Sequence, residues 1–275
     1  ARIYRSVGWR ILVRFYYLRE RTLASPDSRR GRLYDFLKAT MLAYSEGGIT
    51  EAVQKAKDQY RTKEEPEPYE LWLEQHAFKP EHIPYLQQEV QAWAFRPEVS
   101  IVMPVYNTEE VWLRKAIDSV RNQAYVHWQL CICNDGSDQT HIASILAEYG
   151  KLDERILVTT SPTNGGISAA MNHALQLASG EFVGFLDHDD ELTPDALAEV
   201  VKLLNTKPTL DFVYTDEDKL TPEGQRQEPF FKPDWSPDLL RSMNYIGHFS
   251  VVRRSIVQEL GGFTEGLEGS QDYDL

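Results

Sequence analysis

From Val99 onward, short apolar runs alternate with longer segments in which apolar residues recur every three or four positions. The run "VSIVMPVYN" is almost continuously apolar, as a strand buried on both faces must be, and "WLRKAIDSVRNQ" then places Leu113, Ile117 and Val120 on one helical face. The alternation continues with strands in "WQLCICND", "RILVTTS", "EFVGFLD" and "LDFVYTD", and with helices in "HIASILAEY", "ISAAMNHALQLA" and "PDALAEVVKLLN". Five strands separated by helices predict an α/β fold: a Rossmann-like, mostly parallel sheet flanked by helices on both faces. After Asp218 the pattern is irregular. A strand-like piece and a short helix, ending at Gly261-Gly262, are expected only in "HFSVVRRSIVQELGGF". Internal repeats and low-complexity tracts are absent from the sequence.

Upstream, Ile3, Val7, Ile11, Phe15 and Leu18 stand near helical spacing with arginines between them, which predicts a basic amphipathic helix. Two roles fit it: packing on a neighbouring domain, or lying on an anionic membrane surface as a peripheral contact with the inner membrane. Further helical patterns run from Leu33 to Tyr60, and "TKEEPEPYE" reads as a linker. Helical stretches are expected around Tyr69 to His76 and Pro80 to Trp93. The domain organisation expected is therefore an N-terminal helical region over 1–96 and an α/β domain over 97–275. A start at Ala1 and an end at Leu275 without a terminating turn make a fragment the expectation, with the α/β domain truncated at its C-terminal end and other domains in the same chain.

Charge changes this picture in one respect. The 275 residues carry a formal net charge of −13, which disfavours nucleic acid as a partner. Residues 1–38 hold ten Arg/Lys against three Asp/Glu, a surplus of seven positive charges, so the remaining residues carry −20. Cys131 and Cys133 alternate on one face of a strand, poorly placed to bridge each other, and read as buried apolar residues of a reducing compartment. No apolar run reaches the roughly 18 residues of a membrane span, and no signal-peptide pattern opens the chain. A cytoplasmic protein is expected, if need be peripheral on the cytoplasmic face of the membrane.

In open α/β sheets ligands bind beyond the carboxyl ends of the strands. Acidic residues recur there: Asn134-Asp135-Gly136-Ser137-Asp138 after the second strand, Asp187-His188-Asp189-Asp190 after the fourth, and Asp216-Glu217-Asp218 after the fifth. No Walker pattern occurs and no Gly-x-Gly-x-x-Gly follows the first strand, which disfavours P-loop and dinucleotide chemistry. A phosphate-bearing ligand among these carboxylates requires a cation between them, and oxygen donors suit Mg²⁺ or Mn²⁺. Asp187-x-Asp189 on a turn after a buried strand thus points to a divalent cation and a nucleotide diphosphate.

"VSIVMPVYN", "NDGSD", "NGGISAAMNHAL", "GEFVGFLDHDDELTPDAL" and "GGFTEGLEGSQDYDL" together resemble glycosyltransferase family two over about residues 97–275. "VYTDEDKL" with "PFFKPDWSPDLLRSMNYIGHFSVVRRS" resembles the subgroup of bacterial O-antigen and other surface-polysaccharide assembly. The resemblance implies a GT-A fold, inverting transfer from a nucleotide-sugar donor, Mn²⁺ or Mg²⁺ as cofactor, and a glycan or lipid-linked glycan acceptor. It also implies roles by motif position. Pro104, Tyr106 and Asn107 border the base and ribose. Asp135 accepts a base N–H, favouring UDP- or dTDP-linked donors, or else closes a turn. Asn164 and Gly165 approach the nucleotide, or cap a helix. Asp187 contacts ribose or metal, Asp189 ligates metal, and Asp190 is secondary. Asp272 falls at the position of the base, with Gln271 in place of the usual glutamate. Asp216, Glu217 and His248 are acceptor-side candidates or structural residues. Met171 stands where many members have arginine. A non-catalytic nucleotide-sugar-binding module of a larger protein is the alternative to an enzyme, and sugar-phosphate nucleotidyltransfer lacks its basic loop between Met103 and Glu109.

Overall fold

The computed structural model describes residues 68–267 and 269–275. The expected basic helix, the helical patterns of 33–60 and the membrane contact lie outside these residues. The chain divides into two compact units, residues 1–72 and 73–275. The boundary expected at 96/97 therefore falls inside the second unit. Helix α1 covers Pro68–His76 and α2 covers Ile83–Ala92. Leu86 and Val90 of α2 enter the core of the second unit. Just beyond, the Phe95 N–H donates to Asn205 Oδ1 at 3.1 Å, while Asn205 Nδ2 donates to the Phe95 carbonyl at 2.7 Å.

The alternation read from the sequence appears as β1 (Val99–Val105), α3 (Glu110–Arg121), β2 (Trp128–Asp135), α4 (Thr140–Leu152), β3 (Ile156–Ser161), α5 (Ile167–Leu175), β4 (Phe182–Phe185), α6 (Ala196–Thr206) and β5 (Phe212–Tyr214). The stretch read as irregular holds a hairpin, β6 (Glu217–Leu220) with β7 (Arg226–Phe230), and then α7 (Pro237–Leu240). β8 (Ser250–Arg253), α8 (Arg254–Leu260) and α9 (Gln271–Asp274) follow. The main sheet has the order β3-β2-β1-β4-β8-β5. β3, β2, β1 and β4 are mutually parallel, and β8 runs antiparallel between β4 and β5.

Position in the sheet explains the strand patterns. All seven residues of central β1 are buried, whereas edge strand β3 is buried only at its two ends, Ile156 and Ser161. Along β1, Ile101, Met103 and Val105 join one apolar cluster with Leu113, Ile117 and Leu197. Val102 points to the opposite cluster, with Cys131, Cys133, Met171 and Val257. The two thiols are free and buried, and burial pushes Cys131 up to about 12. Met171 has no exposed surface. The departure from arginine at 171 therefore falls in an apolar core contact. Among the described residues no helix is long and apolar enough to cross a membrane.

Candidate active site at the strand ends

The ends of β1 and β2 are cross-linked before any ligand is considered. Asn107, with φ of 47°, donates its N–H to Ser137 Oγ at 3.2 Å and accepts the Asp138 N–H on Oδ1 at 2.9 Å. Tyr106 beside it is exposed, while the Pro104 carbonyl accepts from His188 Nδ1 at 3.0 Å. His188 is thereby occupied as a strut between β1 and the turn after β4. Asp135 is 2% exposed and its carboxylate accepts the backbone N–H groups of Gly165 (3.0 and 3.1 Å) and Gly166 (2.9 Å). These bonds tie the end of β2 to the loop before α5. Asn164 Oδ1 accepts the same Gly166 N–H at 2.9 Å. Gly136, at φ 65°, makes the approach possible, since a Cβ there would stand 2.6 Å from the Thr163 carbonyl carbon.

After β4 the Asp190 N–H bonds back to the Asp187 carbonyl at 3.2 Å. That turn sets the side chains of Asp187 and Asp190 together and leaves Asp189 exposed. Asp187, Asp190 and His248 each offer a ligand atom within 4.8 Å of the others, which makes them the metal-competent trio among the described residues. Asp187 was expected in it; Asp190 and His248 stand where Asp189 was expected. His248 Nε2 lies 3.4 Å from Asp187 Oδ2 and 4.0 Å from Asp272 Oδ2, so one imidazole stands between the two carboxylates. Burial pushes the Asp190 carboxyl up to about 6, partly offset by His248 and reinforced by Asp187 and Asp189. Asp187 is raised for the same first reason. Its Oδ1 is buried without a hydrogen-bond partner. A raised carboxylate pair with an orphaned oxygen is a donor set that a hard divalent cation would satisfy.

The far side is held by ions rather than strands. Asp216 Oδ1 accepts the Lys232 N–H at 2.7 Å, and Glu217 pairs with Lys232 Nζ at 2.9 Å. Two of the three acceptor-side candidates, Asp216 and Glu217, are thus engaged by Lys232, a residue that sequence reasoning missed. Its only signal was a cation inside the aromatic, proline-rich "PFFKPDW". A cavity of about 280 Å³ opens beside His248 and Asp272, lined among others by Phe185, Phe212, Trp235, Leu240 and Tyr273. Trp235 and Tyr273 are exposed at it. The Tyr273 hydroxyl donates to the Leu240 carbonyl, and Gln271 Oε1 accepts the Gly269 N–H at 2.7 Å, which anchors the turn carrying Asp272.

The family profile described as glycosyl transferase family 2 matches residues 100–261, more than half of the chain. The chain belongs to glycosyltransferase family 2. Among curated relatives, 207 residues are 42% identical to the O-antigen biosynthesis protein RfbC of Myxococcus xanthus, covering 75% of this chain and 16% of that protein. A further 180 residues are 34% identical to the chondroitin synthase of Pasteurella multocida strain Pm70, covering 65% of this chain and 18% of that one. The chain thus spans less than a fifth of the length of either relative. The fold is that of S. aureus TarS 1–349 solved with UDP-GlcNAc, at a TM-score of 0.52 and 20% identity over 64% of this chain and 51% of that one. The mannosyltransferase PcManGT of Pyrobaculum calidifontis, solved with GDP-Man and Mn²⁺, is similar at a TM-score of 0.50 and 20% identity over 70% and 57%. The GT-A architecture expected for a family 2 domain, a mostly parallel sheet flanked by helices, is the one observed. The family match ends at Gly261, so Asp272 lies beyond it.

Proposed function

We propose that this domain is a metal-dependent, inverting glycosyltransferase that moves a sugar from a UDP- or dTDP-sugar to a growing surface polysaccharide or O-antigen glycan. The observation that carries the reading is the single cluster of Asp187, Asp190, His248 and Asp272 beyond the sheet's carboxyl edge. Relatives named for O-antigen and chondroitin synthesis support the product class, and fold neighbours solved with UDP-GlcNAc and with GDP-Man and Mn²⁺ support the donor class.

In this reading Pro104, Tyr106 and Asn107 border the base and ribose, and Asp135 shapes the nucleotide pocket by holding the Asn164-Gly165-Gly166 backbone against it. Asp187, Asp190 and His248 would hold Mn²⁺ or Mg²⁺, with Asp189 beside them at the turn's exposed corner. The bound cation supplies charge neutralisation of the departing nucleoside diphosphate. The acceptor occupies the cavity, its ring against Trp235 and Tyr273. Asp272 takes the proton of the attacking hydroxyl as the new bond forms at the anomeric carbon and the bond to the diphosphate breaks on the opposite face. A single displacement inverts the centre and needs no covalent nucleophile. We place this work on the cytoplasmic side, with the basic segment 1–38 meeting the anionic inner membrane.

Titration with UDP and with dTDP, each with and without Mn²⁺, tests the reading. Binding of at least one that tightens tenfold or more with Mn²⁺ is expected, and absence of any metal-dependent binding overturns it. A donor panel with a glycan acceptor then separates transferase from binding module, since the module binds donor and releases no nucleoside diphosphate.

A further inference from the structure

Lys232 carries an ammonium on a side chain only 1% exposed. Its three donors have three acceptors: Glu217 Oε2 at 2.9 Å, the Ile246 carbonyl at 2.5 Å and the His248 carbonyl at 2.6 Å. The same Glu217 oxygen accepts the His248 N–H at 3.2 Å. Both backbone polar groups of His248 therefore end on one ion pair. Between them the chain passes close over the pair at Gly247, where φ is 46° and a Cβ would stand 3.0 Å from Glu217 Oε2. Burial pulls the Lys232 pKa down, while Glu217 and Asp216 pull it up. Burying such a pair is costly, and apolar residues of similar volume often serve stability as well or better. What the pair supplies here is direction: three hydrogen bonds to the backbone of Ile246 and His248, with the imidazole of His248 aimed between Asp187 and Asp272.

We propose that Lys232, paired with Glu217, is the positioning residue for His248, fixing the imidazole against the Asp187–Asp190 carboxylates and Asp272. The proposal rests on the reading of that cluster as the transfer site. Neither residue of the pair touches the reacting atoms in this scheme. They act through the backbone of Ile246–His248, in the way an outer partner orients a metal-ligating histidine.

The test is a double-mutant cycle read by Mn²⁺ binding in solution, followed by EPR without donor. In the wild-type background Lys232→Met lowers Mn²⁺ affinity about 10- to 100-fold. In a His248→Ala background the same substitution changes it by less than about threefold, because the group it acts through is gone. Equal losses in the two backgrounds, or no loss in a folded Lys232→Met protein, overturn the proposal. If Lys232→Met fails to fold, Lys232→Gln, which keeps two N–H donors, carries the same cycle. A metal-free readout separates this from the transferase reading: in ¹⁵N-histidine NMR, the His248 Nε2 resonance of Lys232→Met moves toward its position in Asp187→Asn. An unmoved resonance overturns the positioning role. A wild-type protein that neither binds Mn²⁺ nor transfers sugar overturns the transferase reading and leaves this measurement to judge Lys232.

Discussion

The two halves of the site are held together by different means. On the side proposed to take the donor, β1, β2 and β4 deliver their polar residues from the ends of buried parallel strands. The contacts that follow are backbone-directed: Asp135 onto Gly165 and Gly166, Asn107 onto Asp138, His188 onto the Pro104 carbonyl. On the side proposed to take the acceptor the main-sheet strands have only three or four residues, one of them antiparallel, and the loops between them hang on Lys232, Glu217 and Asp216. Hydrophobic burial positions the first half and only screens the second. The difference teaches where each half is vulnerable: steric intrusion breaks the first, loss of one charge the second.

The largest effect is expected at Asp272. Asp272→Asn should lower transfer by roughly 10²- to 10⁴-fold, the range of a general base, while Mn²⁺-dependent nucleotide binding stays within about threefold. Equal losses of binding and transfer would break the division into halves. Next, Asp187→Asn should weaken Mn²⁺-dependent nucleotide binding by about 10- to 100-fold, whereas Asp189→Ala, outside the trio, should cost less than tenfold. Calorimetric titration of both variants decides it, and the reverse order would return the metal role to Asp189.

Gly136→Ala should destabilise the fold by about 2 kcal/mol, because both the left-handed φ and the Thr163 backbone oppose a Cβ. Urea unfolding checks this, and an unchanged midpoint would mean the donor loops are not held by close approach.

The smallest effect has the opposite sign. Asp190 titrates at about 6 in the folded protein, above the ordinary aspartate value of 3.8. The folded state therefore binds more protons than the unfolded one between those values, and stability falls as pH rises through that window. Asp190→Asn should raise stability above pH 6 by on the order of 1–2 kcal/mol in metal-free protein, with the gain vanishing below about pH 4. Thermal unfolding at pH 4 and pH 7.5 reads the difference, and a gain of equal size at both would mean the carboxylate charge is not its source.

Legibility followed the same division. β1 to β5 and the intervening helices were readable because burial on both faces forces unbroken apolar runs, and amphipathic helices repeat at a fixed period. The β6–β7 hairpin was missed because its residues are mostly open to solvent and carry charges instead of an alternating pattern.

Within the site, the acidic strand ends were visible as residue types at strand termini, including Asp135 and Asp187, whereas Asp272, in α9, was legible only through the family resemblance. Their partners were not. That Asp190 joins Asp187 while Asp189 turns outward depends on one backbone hydrogen bond. That His248 reaches both Asp187 and Asp272 depends on β8 lying beside β4, across 61 residues of chain. The sequence by itself determined the alternation of strands and helices and the acidic character of the edge, since these follow from local pattern and composition, and its motifs carried the family resemblance. Only the tertiary structure decided which carboxylates meet, and that a buried lysine aims the histidine between them. Such contacts join residues far apart in the chain, and their energies come from desolvation and geometry that no local pattern encodes.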